Sequence, residues 1–294
     1  MPNKDAFYML RGAIDIHVHA EPDIHPRRLD CIELAEEARK LQMAGILIKD
    51  HNTITSDRAY IINKIFPDIK LYGAMALNPS VGGLNPAAVE SAIRLGCREV
   101  FMPTSGAQNH VSKWGAGPHS LTNRSRPPDQ GICILDEKGR LYKDVLEILR
   151  LIAENDVILG TGHLSVTEIM AVTKCARDVG VKRILITHPS MKIIDMPVSC
   201  QVEVARMGAY LDHSFLATTN YFSESERTSM KEIAYQIHTV GIDHCVMSTD
   251  FGQENVPSPT EGLKTFIDEM LAHGFKEEEI RKMIIENPKK LLEV

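Results

Sequence analysis

Short apolar runs alternate with amphipathic helical periods from one end of the chain to the other, and this alternation limits the fold more than any other feature. Runs that read as strands lie at about Ala13–Ala20, Ile46–His51, Leu71–Leu77, Glu99–Pro103, Val157–His163, Arg183–His188, Ala209–Phe215 and Cys245–Asp250. Between them, apolar residues recur at helical spacing. Cys31, Leu34, Ala35, Ala38 and Leu41 make one stripe; Leu141, Val145, Ile148, Leu149 and Ile152 a second; Leu263, Phe266, Ile267, Met270 and Leu271 a third. Gly45, Gly96, Gly180 and Gly208 follow helices, where a left-handed terminal residue is expected. Strand–helix alternation implies parallel strands joined by right-handed crossovers, and eight such units predict a closed α/β fold, the (β/α)8 TIM barrel. An open doubly wound sheet is the rival, but no glycine-rich G-x-G-x-x-G turn follows the first strand.

The 294 residues, 44% of them hydrophobic, suit one barrel domain spanning 1–294. One segment breaks the rhythm. Thr104 to Pro128 is long and polar, rich in Gly, Ser, Asn and Pro. After it, Gly131-Ile132-Cys133-Ile134-Leu135 runs into the turn signal Asp136-Glu137-Lys138-Gly139. The expectation is a mobile loop and a small hairpin inserted after the fourth strand, over about 104–142.

A net charge of -6 gives no reason to expect nucleic acid or an anionic membrane as a partner. No stretch approaches the roughly 20 apolar residues that span a bilayer, and Met1 to Arg11 has no apolar run of the signal-peptide kind. The six cysteines are scattered without a C-x-x-C pair, as reduced thiols in a cytoplasmic protein would be. Pairing of copies through the outer helices, giving a homo-oligomer, stays open.

The chemistry gathers at the strand ends. Asp15-Ile16-His17-Val18-His19 places two imidazoles two residues apart, on one face of a strand. His163, His188 and Asp250 end the fifth, sixth and eighth strands. In a (β/α)8 barrel the C-terminal strand ends share one mouth, where active sites lie. Imidazole and carboxylate together suit a divalent transition metal, with zinc the first expectation and manganese or iron behind it.

H-x-H on strand one, His on strands five and six and Asp on strand eight resemble the amidohydrolase superfamily of metal-dependent hydrolases. Thr161-Gly162-His163, Ile186-Thr187-His188-Pro189, Ser248-Thr249-Asp250 and the closing Glu286-Asn287-Pro288 with Leu291 carry the same likeness, which covers essentially the whole chain. The resemblance implies a metal-dependent hydrolase of a small molecule. His17, His19 and His163 would be metal ligands, and Asp250 a ligand, a proton acceptor or both. His188 would bind a second metal or act as a general acid/base beside a single one. A metal-activated water would attack a C–N or C–O bond of an amide, cyclic amide or lactone, or in deamination. A single-metal decarboxylase or other lyase on the same scaffold is the alternative, a phosphoesterase a more distant one, and a non-catalytic metal-binding barrel a third.

Strand four, read as Val100-Phe101-Met102-Pro103-Thr104, lacks the lysine or glutamate that bridges two metals in many members. Strand two instead ends Ile48-Lys49-Asp50-His51. Lys49 is either a carbamate bridging two ions or a cation that holds a substrate carboxylate or an oxyanion. His51, His110 and Arg28 are candidate contacts to a substrate, which the cationic tone of Lys113, His119, Arg124 and Arg126 suggests is anionic. Arg27 is the alternative to Arg28. Asp15 is expected either to orient a site residue or to be a satisfied buried carboxylate. Trp114 would cover an apolar part of the substrate or pin the loop, and His213 is expected in the core more than at the substrate.

Overall fold

The computed structural model describes residues 6–115 and 130–292. Eight parallel strands follow one another in chain order around one sheet. They are β1 (Ile14–Val18), β2 (Gly45–Ile48), β3 (Lys70–Ala76), β4 (Cys97–Phe101), β5 (Ile158–Gly160), β6 (Ile184–Thr187), β7 (Tyr210–Ser214) and β8 (Cys245–Ser248). Each lies inside a run read from the sequence or within two residues of it. The ring closes at its upper end, where Asp250 N donates to His17 O and His19 N to Phe251 O, both at 2.8 Å. Sequential order and closure exclude the doubly wound sheet, whose strand order is permuted and whose edges are free. The fold is a (β/α)8 barrel.

The helices are α1 (Cys31–Lys40), α2 (Ser56–Ile65), α3 (Pro86–Arg94), α4 (Gln108–Trp114), α5 (Lys143–Asn155), α6 (Val166–Asp178), α7 (Val198–Arg206), α8 (Met230–Val240) and α9 (Pro259–Ala272). Their apolar stripes face the sheet, as Leu34, Ala35 and Ala38 of α1 and Val145, Ile148 and Leu149 of α5 do, all fully buried. Asp30, Ser165 and Ser258 each cap a helix with a reciprocal glutamate three residues on, which fixes where α1, α6 and α9 leave the rim.

Three expectations change. Gly96, Gly180 and Gly208 do adopt left-handed conformations, but Gly45 does not. It opens β2, and a Cβ there would sit 2.6 Å from Lys70 O, so close strand approach explains the glycine. Gln42 takes the left-handed position after α1 instead. The polar stretch after β4 is not all loop, because its first part forms α4. The hairpin shrinks to one antiparallel bridge, Leu135 to Leu141, over the turn in which Arg140 O accepts from Asp136 N. His119, Arg124 and Arg126 lie outside the described residues.

The lower barrel interior is filled by Ile14, Ile16, Leu47, Tyr72, Ala74, Phe101, Ile158, Leu185 and Val246. Leu291 and Leu292, from the last helix Asn287–Leu292, seal it from below. Asn287 pins that helix: its Nδ2 donates to Ile242 O and Cys245 O at 2.8 and 2.7 Å. Among the described residues no helix is long and apolar enough to cross a membrane.

Candidate metal centre

His17, His188 and Asp250 converge, with one ligand atom of each within 4.8 Å of the others, and all three are buried. His17 Nε2 and His19 Nε2 lie 3.3 and 3.2 Å from Asp250 Oδ1, and His188 Nε2 lies 3.5 Å from Asp250 Oδ2. The outward nitrogens are taken. Asp212 Oδ2 accepts from His17 Nδ1 at 2.8 Å, and Ser214 Oγ bonds His188 Nδ1 at 3.0 Å. Asp212 and Ser214 are two apart on β7, so one strand face orients both rings. His188 and Asp250 have φ of +54° and +56°, a left-handed backbone that costs energy for residues with a Cβ. Two such residues in one cluster mark a place where the fold tolerates strain to aim side chains.

Burial drives the imidazoles of His17, His19 and His188 down to about 3 and holds His163 well below its ordinary value. These rings are therefore neutral at pH 7, the form that ligates metal. Burial alone would raise Asp250, but a hydrogen bond from His19 and the charge of Lys49 act against it, and the balance keeps Asp250 well below its ordinary value and ionised. With Nδ1 bonded to Asp212, His17 Nε2 presents a lone pair toward the Asp250 carboxylate. Two acceptors facing each other across 3.3 Å repel unless a cation lies between them. The donor set thus fits a divalent ion. Lys49 Nζ, 3.0 Å from His17 Nε2, is the one cationic group that touches this nitrogen among the described residues. It is fully buried, and burial lowers its pKa.

The cluster opens into a cavity of about 210 Å³. The candidate site residues that fall among the described residues can now be located. His19, Lys49, His51, His110, His163, His188 and Asp250 all line it. His51 stacks on His19, and its Nδ1 bonds Thr104 Oγ1 at 2.9 Å. His163 stands outside the tight group, its Nδ1 2.8 Å from His110 Nδ1, so α4 reaches the site through His110. Asp15 accepts from Thr249 Oγ1 at 2.6 Å and from Thr249 N and His17 N at 3.2 Å. It ties β1 to the turn carrying Asp250 instead of touching a ring.

Arg28 is a correction. It is exposed, donates to Glu254 O at 3.3 Å and lines a separate surface hollow, whereas buried Arg27 lines the cavity. Arg27 is paired with Asp23 at 2.7 Å, and its Nη2 lies 3.4 Å from His19 Nδ1. His213 faces away from the cavity, bonding Ser190 Oγ at 2.7 Å.

Sequence reasoning passed over several residues. Asp212 could have been found, because alternation in Leu211-Asp212-His213-Ser214 puts Asp212 and Ser214 on the face opposite His213. Glu99 lies in β4, which the sequence reading took to lack an acid; it is buried, and neither carboxyl oxygen has a hydrogen-bond partner. Tyr221, Phe222, Met191 and Gln253 line the cavity from loops, and Leu216 from the short helical turn Phe215–Thr218, where no periodicity signals them.

A family model described as a family of unknown function, DUF6282, matches residues 12–212, and the Phosphotriesterase family model matches residues 155–292. No curated protein matches the sequence significantly. Among solved structures, an amidohydrolase from Pseudomonas aeruginosa is similar with a TM-score of 0.65, at 13% identity over 97% of each chain. The probable dipeptidase PvdM from the same organism gives 0.64, at 12% identity over 97% of this chain and 96% of its own. A putative 2-pyrone-4,6-dicarboxylic acid hydrolase from Pseudomonas putida gives 0.62, at 12% identity over 96% and 97%. The barrel fold is similar to that of these solved structures, and the chain belongs to the DUF6282 family of unknown function.

Proposed function

We propose that the protein hydrolyses a C–N or C–O bond of a small molecule with one divalent ion, zinc first among candidates, held by His17, His188 and Asp250. The observation that carries this is the buried convergence of two neutral imidazoles and an ionised carboxylate on a cavity. His19 supplies a further nitrogen. Its Nδ1 lies 3.4 Å from Arg27 Nη2, which can only donate, so Nε2 is free to ligate once that contact is given up and the proton moves to Nδ1. A divalent ion held there would supply a lowered pKa to a bound water and polarise the group under attack. Asp250, ionised and beside that centre, takes the proton and returns it to the leaving group. His163 and His110, bonded to each other, face the substrate from the β5 side.

One observation favours a second, two-ion reading. Lys49 Nζ is fully buried beside His17, where burial favours the neutral amine. A neutral amine adds carbon dioxide to give a carbamate and a proton, which would supply a bridging anion. Intact-protein mass measured under native conditions reads this as a 44 Da increment that Lys49→Met abolishes.

The test of the main reading is turnover of a panel of lactones, cyclic amides and esters in ¹⁸O-labelled water by zinc-, manganese- and iron-loaded protein. Hydrolysis puts ¹⁸O in the product. Release of carbon dioxide from a carboxylated substrate without ¹⁸O uptake would instead make the protein a decarboxylase.

A further inference from the structure

A belt of rings circles the cavity. From the metal centre, His17 stacks on His188 at 4.6 Å between centroids, and His188 lies 5.5 Å from His163. His163 stacks on His110 at 4.9 Å, and His110 meets the edge of Trp114 at 5.5 Å. Trp114 packs on Phe222 at 5.4 Å, and Phe222 meets Tyr221 edge-on at 5.0 Å. Tyr221 lines the same cavity as Arg27 and Asp250. Four of its rings are imidazoles and three are Trp114, Phe222 and Tyr221, so the cavity has a chemical side and a hydrophobic side.

The hydrophobic side stands on a stiff support. Directly after β7 the chain makes a tight helical turn, Phe215–Thr218, and Leu216 N of that turn donates to Thr249 O at 3.0 Å. Thr219 Oγ1 then donates to Leu216 O at 3.0 Å and accepts from Tyr221 N at 3.3 Å. Tyr221 is thus fixed at its backbone, while no protein partner of its hydroxyl is recorded among the described residues. Burial, with Asp250 adding to it, raises the phenol pKa, so the group keeps its proton at neutral pH.

The volume suits a single ring at the inner end of a cavity that opens to solvent. A dry cavity of about 150 Å³ accepts benzene, and this one is about 210 Å³. That leaves room for one ring bearing a short reactive group, with the ring against Trp114 and Phe222 and the reactive group toward the imidazoles. Offset or edge contacts with such walls favour a planar ring.

Resting on the hydrolase reading above, we propose that Tyr221 is a further catalytic residue: its hydroxyl donates to the oxygen that gains charge on a single-ring substrate seated on Trp114 and Phe222. Such a donor strengthens its bond as the oxygen becomes anionic, so it lowers the barrier more than it aids binding.

The experiment combines turnover with binding. Tyr221→Phe keeps the ring and its packing and removes only the donor. In zinc-loaded protein, kcat/KM on the best aryl ester or lactone of the panel should fall about 100-fold with KM little changed, as for loss of one oxyanion donor. Metal content and Tm should match wild type. Phenylphosphonate, one ring on a tetrahedral oxyanion, should bind wild type in a calorimetric titration and bind Tyr221→Phe about 10- to 100-fold more weakly. Methylphosphonate should bind wild type at least about tenfold more weakly than phenylphosphonate, since it offers no ring. Equal phenylphosphonate affinity in the two proteins, or no binding to wild type, overturns the role of Tyr221. Equal affinity for the phenyl and methyl compounds overturns the ring seat. If binding behaves as expected and no substrate of the panel turns over, the hydrolase reading fails and the ring-and-donor assignment stands.

Discussion

The two ends of the barrel interior are built from the same eight strands and have opposite chemistry. The floor holds Ile14, Leu47, Ala74, Ile158, Leu185 and Val246, packed dry over Leu291 and Leu292. The mouth, a few residues further along the same strands, holds His17, His163, His188, Asp212 and Asp250, equally buried. Burial is therefore not what distinguishes core from site. The difference is how the polar atoms are answered. At the mouth the outward nitrogens of His17 and His188 have partners, and their inward nitrogens face a common point with Asp250. Glu99 is a polar intruder in the floor: among the described residues neither oxygen has a hydrogen-bond partner, and burial raises its pKa well above the usual carboxylate range, with Lys49 offsetting this only in part. A polar group placed for function is supported from behind, and Glu99 is not.

Substitutions at each end should separate these roles. The largest effect belongs to the mouth. His17→Ala removes one inward nitrogen, and bound metal and turnover should both fall, turnover by about 10³-fold or more, in a protein that still gives the barrel's circular dichroism. Metal content equal to wild type would break the contrast. Next comes the floor. Leu185→Ala opens a void in fully buried packing and should cost about 2–5 kcal/mol by denaturant titration, with metal stoichiometry unchanged in the folded fraction. Asp212→Asn keeps the volume and weakens the hold on His17, so metal affinity should drop about 10- to 100-fold while stability changes less.

The smallest effect is at Glu99. Its folded-state pKa is raised, so it contributes stability that is fully present below its unfolded value near 4.5 and is lost as pH rises toward the folded value. Glu99→Gln does not titrate. The Tm of the variant relative to wild type should therefore increase from pH 4 upward and level off once the folded carboxyl ionises. A Tm difference independent of pH would mean that Glu99 is ionised or answered by a group other than those around it here.

The floor and the mouth were not equally legible in the sequence. Strand order, the helix stripes and the barrel class followed from apolar periodicity, because burying a face repeats on a fixed spacing. His17, His19, His163, His188 and Asp250 were legible because the rule that strand ends share a mouth turns scattered residues into one place. Arg27 against Arg28 was not, since the segment Glu21–Arg28 has no period to set its phase. Asp212 was hidden by its neighbour His213, which drew attention as an imidazole although alternation points it outward. The pairing of His110 with His163 depends on α4, a helix of seven residues whose apolar signal is too short to read. Tyr221 and Phe222 reach the cavity from a loop, where only tertiary structure sets direction.

The most direct test of the metal centre is anomalous diffraction at the absorption edge of the metal that co-purifies with the protein. The expected result is a peak about 2.0–2.2 Å from His17 Nε2, His188 Nε2 and a carboxylate oxygen of Asp250. A peak elsewhere, or metal-replete crystals in which Lys49 Nζ still occupies the contact with His17 Nε2, would contradict it.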